Sequence, residues 1–424
     1  KPYLMTEKLF QFIWQFQYFN KTHLKTVTGE KVEILSAGLL NTNQGPDFIN
    51  ARIKIDDTIL AGYVELHIKT SQWYEHGHHN DINYKNVVLH VVFEHNAISP
   101  GSIPVLELKS RISMILLDRY SNLMNGSSFI PCINSISKVN DIVWMSWKDR
   151  LIAERLTRKS EPVFQFLEQN KYHWEETFWW VLARNFGIKV NSEAFESIAR
   201  SIPLNILAKH KSQIHQLEAL LLGQANFLHD DLKDEYGKLL FREYIFLKKK
   251  YDLKPVTIPV LFLRMRPGNF PTIRLAQLAA LLLNSTHLFS KILEFDTVEE
   301  IKTLFDITAN DYWHYHYKLD EPSDFKKKII GKEMINNIII NTIVPVLFAY
   351  GIHHKEEKYK EKAIEWLQYM EKEINIISKG FQAAAIPIGS AFDSQSLIEL
   401  KTQYCDKKNC LKCAVGNNIL KLAE

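Results

Sequence analysis

"GPDFINARIKIDDTILAGYVELHIK", residues 45–69, decides the fold of the first part of this chain. Two apolar, alternating runs, ARIKI at 51–55 and LAGYVELHIK at 60–69, flank Asp56 and Asp57, a spacing that predicts a β-hairpin. Side chains on a strand alternate between faces. Val64, Leu66 and Ile68 therefore point to a core, while Tyr63, Glu65, His67 and Lys69 share the other face. That second face is either the wet side of a half-exposed sheet or the floor of a site that Asp47, just ahead of the hairpin, helps to build.

Working outward, KVEIL (31–35), VVLHVVFEH (87–95) and IPVLELK (103–109) have the same short, β-branched, alternating character. Between the third and fourth strands, TSQWYEHGHHNDINYKN is too long for a tight turn and has room for a short helix. Ahead of the strands, Leu9, Phe10, Ile13, Trp14 and Phe16 recur at helical spacing. MNGSSFIPC, near residue 125, reads as a linker. From about 140 the apolar residues recur every three or four positions, and Trp144, Trp147, Trp174, Trp179 and Trp180 fall among them as core residues. The predicted fold class is α+β. An N-terminal mixed-sheet domain (1–125) precedes a larger all-α domain (126–400) and a cysteine-bearing tail (401–424).

The 424 residues are 46% hydrophobic and 24% charged, a globular composition. Fifty-two basic against 48 acidic residues leave +4, so the chain has no global field for nucleic acid or membrane, and any basic site is local. No signal peptide is read at the start. The run at 334–352 is broken by Asn336, Asn337, Asn341 and Pro345, and is expected to be a buried helix rather than a membrane span. Four cysteines in so long a chain fit a reducing, cytoplasmic setting better than a disulfide framework.

Three groups of residues carry chemistry. Asp47 and Glu65, from neighbouring strand ends, are candidate ligands for Mg²⁺ or Mn²⁺, hard ions that prefer oxygen. Lys69 or His67 would orient water or steady a phosphate. His76, His78 and Asp81 form a candidate second metal site, since imidazole suits Zn, Mn or Fe. His90, alternating with Val88 and Val92, is read as a hydrogen-bonded core histidine. Cys405-x₄-Cys410-x₂-Cys413 needs a fourth ligand, and Cys132 is the only other cysteine. Zinc and an iron–sulfur cluster are both permitted by that spacing.

Arg264, Arg266 and Arg274 surround a Pro-Gly-Asn-Phe-Pro turn that opens a helix, a setting able to hold phosphate. Arg150, Arg155, Arg158 and Lys159 lie on another helix beside Glu154, either as a phosphate contact or as a salt-bridged face.

These motifs carry two resemblances. NQGPDFINARIKI, the 62–95 segment, RMRPGNFPTIRLAQLA and YCDKKNCLKC together resemble a bacterial family of uncharacterised proteins known only as a domain of unknown function, over nearly the whole chain. It brings no activity or catalytic residue with it. Residues 30–110 are similar to the core of the PD-(D/E)xK nuclease superfamily, with Asp47 and Glu65 at the two acidic positions. The departure is at the third position, where His67 stands for the lysine and Lys69 follows further along the same face. Some nucleases also have an iron–sulfur staple built from one upstream and three C-terminal cysteines, although at other spacings. The resemblance implies a divalent-metal phosphodiesterase acting on DNA or RNA. The rival reading is a non-catalytic RNA- or protein-binding scaffold whose polar sheet face is structural.

Overall fold

The computed structural model describes residues 5–262, 265–285 and 287–421. Its fold is α+β, a mixed sheet followed by a mostly helical part. Two compact units emerge. Unit 1 is Lys1–Trp147 with Ala383–Ala385 and Leu400–Glu424, and unit 2 is Lys148–Gln382 with Ile386–Glu399. The first unit thus runs past residue 125 to Trp147 and takes in the cysteine-bearing tail.

In unit 1, helix α1 (Glu7–Gln15) starts at Thr6, whose hydroxyl accepts from Leu9 N at 3.2 Å. That bond satisfies one of the free N–H groups of the first turn. The helix buries Leu9, Phe10, Phe12, Ile13 and Trp14. Six strands follow: β1 (Val32–Ser36), β2 (Leu39–Leu40), β3 (Phe48–Ile55), β4 (Thr58–Lys69), β5 (Val87–Glu94) and β6 (Val105–Glu107). Their order is β1-β3-β4-β5-β6, with β2 beside β3. The predicted hairpin is β3–β4. Asp56 takes its turn at φ +48°, and its carboxylate accepts from Lys31 N at 2.8 Å. A short polar side chain tolerates this left-handed conformation.

β5 pairs parallel to β4, and β6 parallel to β5. A parallel neighbour cannot be reached by a tight turn, so the chain must cross back over the sheet. The segment 70–86 does so with helix α2 (Gln72–Glu75) and two 3₁₀ turns, His78–Asn80 and Ile82–Tyr84. α1 covers the Val64 and Leu66 face of β4, within the apolar cluster that also holds Phe48, Leu89 and Val91. The crossover brings Trp73 and His78 to the other face, and Glu65 and His67 are buried there, at 5% and 2% exposed. Gly62 permits the close start of the pair, because a Cβ there would stand 2.5 Å from both Asn86 O and Val88 Cγ1.

Unit 2 is helical, with a core that includes Trp179, Trp313, Trp366 and Phe178. Trp144, Trp147, Trp179 and Trp180 are buried, and Trp174 is half-buried against Phe289. The expected helix at 334–352 spans Lys332–His354, with a π-helical stretch at Ile339–Ile343. Among the described residues it is the one helix long and apolar enough to cross a membrane, and two-thirds of its apolar window is buried inside the protein. A two-stranded ribbon, His316–Lys318 with Glu321–Pro322, lies between helices.

Candidate functional site

The antiparallel register of β3 and β4 brings Asp47 and Glu65 together. Asp47 N donates to Glu65 Oε2 at 3.0 Å, and Leu66 N donates to Asp47 Oδ2 at 3.1 Å. Gln11, from α1, donates to Asp47 Oδ1 at 2.8 Å. Burial raises the pKa of Glu65 strongly, and the neighbouring Asp47 charge adds to it. Burial also raises Asp47, opposed by the Leu66 and Gln11 hydrogen bonds. Two carboxylates this close in a dry site disfavour double ionisation unless a cation joins them.

Four imidazoles complete the cluster. His67 Nδ1 is 2.9 Å from His90 Nε2, and His67 Nε2 is 3.2 Å from His76 Nδ1. Glu65 Oε1 faces His67 Nε2 at 3.6 Å and His78 Nε2 at 3.4 Å. The His78 nitrogen is buried and has no hydrogen-bond partner. Trp73 sets its ring edgewise to His78, and Tyr84 stacks on His78 with ring centres 3.9 Å apart. Burial and the neighbouring rings push His67 down to about 2 and His90 to about 3, and burial also lowers His78. Neutral imidazole is the form that ligates metals. His67, His76 and His78 each present one ligand atom within 4.8 Å of the others. His67 is buried, His78 half-buried and His76 exposed, so the trio reaches solvent at one end.

Not every expected residue is part of this cluster. Lys69 is exposed at the end of β4, in register with Glu94 of β5. Asp81 does not complete a ligand set with His76 and His78. Its Oδ1 accepts from Asn83 N and Nδ2, both at 2.9 Å, and caps the Ile82–Tyr84 turn. His67 takes its place in the trio. His90 is the buried, hydrogen-bonded histidine foreseen, but its partner is His67, which makes it the support of the cluster. Gln11, Trp73 and Tyr84 gave no signal in the sequence, because each arrives from another element or from the crossover.

Arg266 and Arg274 are in unit 2 and differ in exposure. Arg264 lies outside the described residues, and Arg266 is exposed. Arg274 is 7% exposed and donates to Gln277 Oε1 at 2.9 Å and Asn269 Oδ1 at 2.5 Å. Its helix, Pro271–Asn284, is buried from Pro271 to Leu282, which withdraws the guanidinium from any large ligand and pushes its pKa down to about 10. The other basic run is salt-bridged within unit 2, where Arg155 and Arg158 both pair with Glu399 and Arg150 pairs with Glu154. Cys132, Cys405, Cys410 and Cys413 all belong to unit 1, and each of the six thiol pairs is close enough to interact electrostatically.

No curated protein and no solved structure matches the chain. A family model, described as a protein of unknown function, DUF2851, matches residues 7–376. The match takes in the whole carboxylate–imidazole cluster and ends ahead of Cys405. The chain belongs to the DUF2851 family.

Proposed function

We propose that the protein is a divalent-metal-dependent phosphodiesterase acting on nucleic acid, a nuclease-like hydrolase whose metal is held by His67, His76 and His78 with Glu65. One observation carries this reading: Glu65 Oε1 stands within 3.6 Å of two imidazole nitrogens, one of them without a hydrogen-bond partner, and a third imidazole is in reach. A carboxylate and three neutral imidazoles suit Mn²⁺, Zn²⁺ or Fe²⁺ better than Mg²⁺. His90 would orient His67 through Nδ1, as outer partners of metal-bound histidines do. Asp47 holds Glu65 through its own N–H. A metal so held supplies a Lewis acid and an activated water for attack on phosphorus. The Pro46-Asp47 and Glu65 arrangement is what directs the reading to phosphodiesters. Four free thiols accord with a cytoplasmic location.

The test is hydrolysis of single- and double-stranded DNA and of RNA with Mn²⁺, Zn²⁺ or Mg²⁺, comparing wild type with His67→Ala/His78→Ala. A fall of 10²-fold or more in the variant is expected, on the order of what loss of a metal ligand or its support costs. Equal activity in the two proteins would sink the assignment.

The scaffold reading has one observation in its favour. Both Asp47 oxygens and Glu65 Oε2 are already satisfied by protein N–H groups. It predicts that calorimetric titration of Mn²⁺ or Zn²⁺ gives no heat with wild type, whereas the catalytic reading predicts one site per chain, lost in Glu65→Gln.

A further inference from the structure

The C-terminal segment belongs to unit 1 although the whole of unit 2 precedes it in the chain. It consists of a π-helical stretch, Leu400–Cys405, a 3₁₀ turn, Cys410–Lys412, and a helix, Ala414–Lys421. Cys410 and Leu420 enter the apolar core of the sheet unit, and Cys132 packs against the edge of that core. Lys408 Nζ donates to Met124 O, Tyr18 OH donates to Asn417 Oδ1 at 3.2 Å, and the Tyr404 ring meets Trp147 edgewise at 5.1 Å. The close approach of the last helix to Cys410 needs Gly416, where a Cβ would lie 2.4 Å from Cys410 O.

Within this seat the four thiols are free, and each is near enough to the other three to interact electrostatically. Cys410 and Cys413 are buried, Cys132 and Cys405 half-buried. Cys413 precedes the final helix, and the N–H groups of Val415 and Gly416 donate to its sulfur, with the Trp147 indole N–H also directed at it. A neutral thiol is a weak acceptor. N–H groups converging on one sulfur at a helix start are the kind of outer partners that tune a cluster-bound cysteine. Four cysteine sulfurs gathered in one largely buried seat form a complete ligand set for a thiolate-bound metal centre.

The spacing separates the candidate metals. Tetrahedral zinc holds its sulfurs about 2.3 Å from the metal, and therefore only about 3.8 Å from one another. Among the described residues the three imidazoles lie within 4.8 Å of one another, and no three of the sulfurs do. A cluster of several irons and sulfides occupies the middle of its four thiolates and holds them further apart.

We propose that Cys132, Cys405, Cys410 and Cys413 bind an iron–sulfur cluster that fastens the C-terminal segment to the sheet unit. The cluster is a staple: one ligand comes from the segment after the sheet, and three from a tail that returns to it. The cluster is taken up preformed from a cluster donor: the four thiols replace the donor's ligands on iron and release their protons to solvent, with no change of oxidation state.

The test uses the full chain, purified without oxygen, with iron, sulfide and zinc measured beside the visible spectrum. The expected result is a brown protein with about four irons and four sulfides per chain. A colourless protein with one zinc per chain, a metal-free protein whose four thiols react with a thiol reagent under native conditions, or a disulfide among the four would each overturn it. Because Cys132→Ser and Cys405→Ser variants can misfold, the wild-type metal content decides on its own. Stripping iron from wild type with a chelator should then speed proteolytic cleavage within 400–421 at least tenfold; an unchanged rate would overturn the staple.

Discussion

Glu65 of the sheet unit and Glu399 of the helical unit are buried to a similar degree, 5% and 2% exposed, but their partners differ. Glu399 receives two guanidinium groups, Arg158 through Nε at 3.1 Å and through Nη2, and Arg155 through Nη1 at 3.4 Å. Glu218, also in the helical unit, has no cationic partner among the described residues. Its Oε2 accepts from Tyr236 OH at 2.8 Å and Trp313 Nε1 at 3.0 Å, and burial pushes its pKa up to about 7. Glu65 has neither arrangement: its Oε2 accepts one backbone N–H, while Oε1 faces imidazoles that burial keeps neutral. A buried acid with a built-in cation is a structural pin, and one with neutral donors is a proton store. An acid facing neutral imidazoles is the arrangement that, on the proposed function, a divalent metal would complete, and this separates Glu65 from the two acids of the helical unit.

Arg155→Met should leave the buried Glu399 carboxylate short of its charge partner and cost about 4 kcal/mol, the range for opening a buried ion pair. Urea denaturation reads this directly, and a loss below about 1 kcal/mol would show that Glu399 is no pin. Glu218 should show a smaller, pH-dependent effect. Its folded pKa of about 7 lies above the ordinary carboxylate value, so the folded state binds the proton more tightly. Stability from this group is full below the unfolded pKa, falls as pH rises, and is lost above about 7, a span on the order of 3 kcal/mol. Glu218→Gln should flatten that part of the stability–pH curve, and an unchanged slope would assign the titration elsewhere.

Much of the sheet was legible because alternation and turn residues are local signals. The five expected strands appear as β1, β3, β4, β5 and β6, and the Asp56 turn sits where the two acids predicted it. The two-residue β2 and the short ribbon at 316–322 are too brief to show a period. Strand period also assigns Glu65 and His67 to one face, but it cannot say what covers that face. The crossover from β4 to β5 does so, and it is why a face that reads as half-wet is buried. Lys69 shares the period and escapes the burial because β4 ends there. Asp81 caps a turn for a local reason: a short acid bonds the backbone N–H groups just after it. Arg274 shows the opposite limit, since its helix opening is visible in sequence and its burial is a tertiary fact.

The smallest effect expected in stability is the most informative for the site. Glu65→Gln replaces a carboxyl already held far above its ordinary range, so the amide resembles the form that metal-free protein contains. The stability of that metal-free protein at neutral pH should change by less than about 1 kcal/mol, the ordinary scale for an amide that keeps its hydrogen bonds. The same substitution removes the carboxylate oxygen that faces His67 and His78, so any rise in Tm that Mn²⁺ or Zn²⁺ gives wild type should vanish. A pin would behave the other way, with a large loss of stability and no difference between metal-treated and untreated protein. Thermal unfolding of the two proteins, with and without metal, therefore distinguishes a carboxylate awaiting a cation from one that merely holds the sheet.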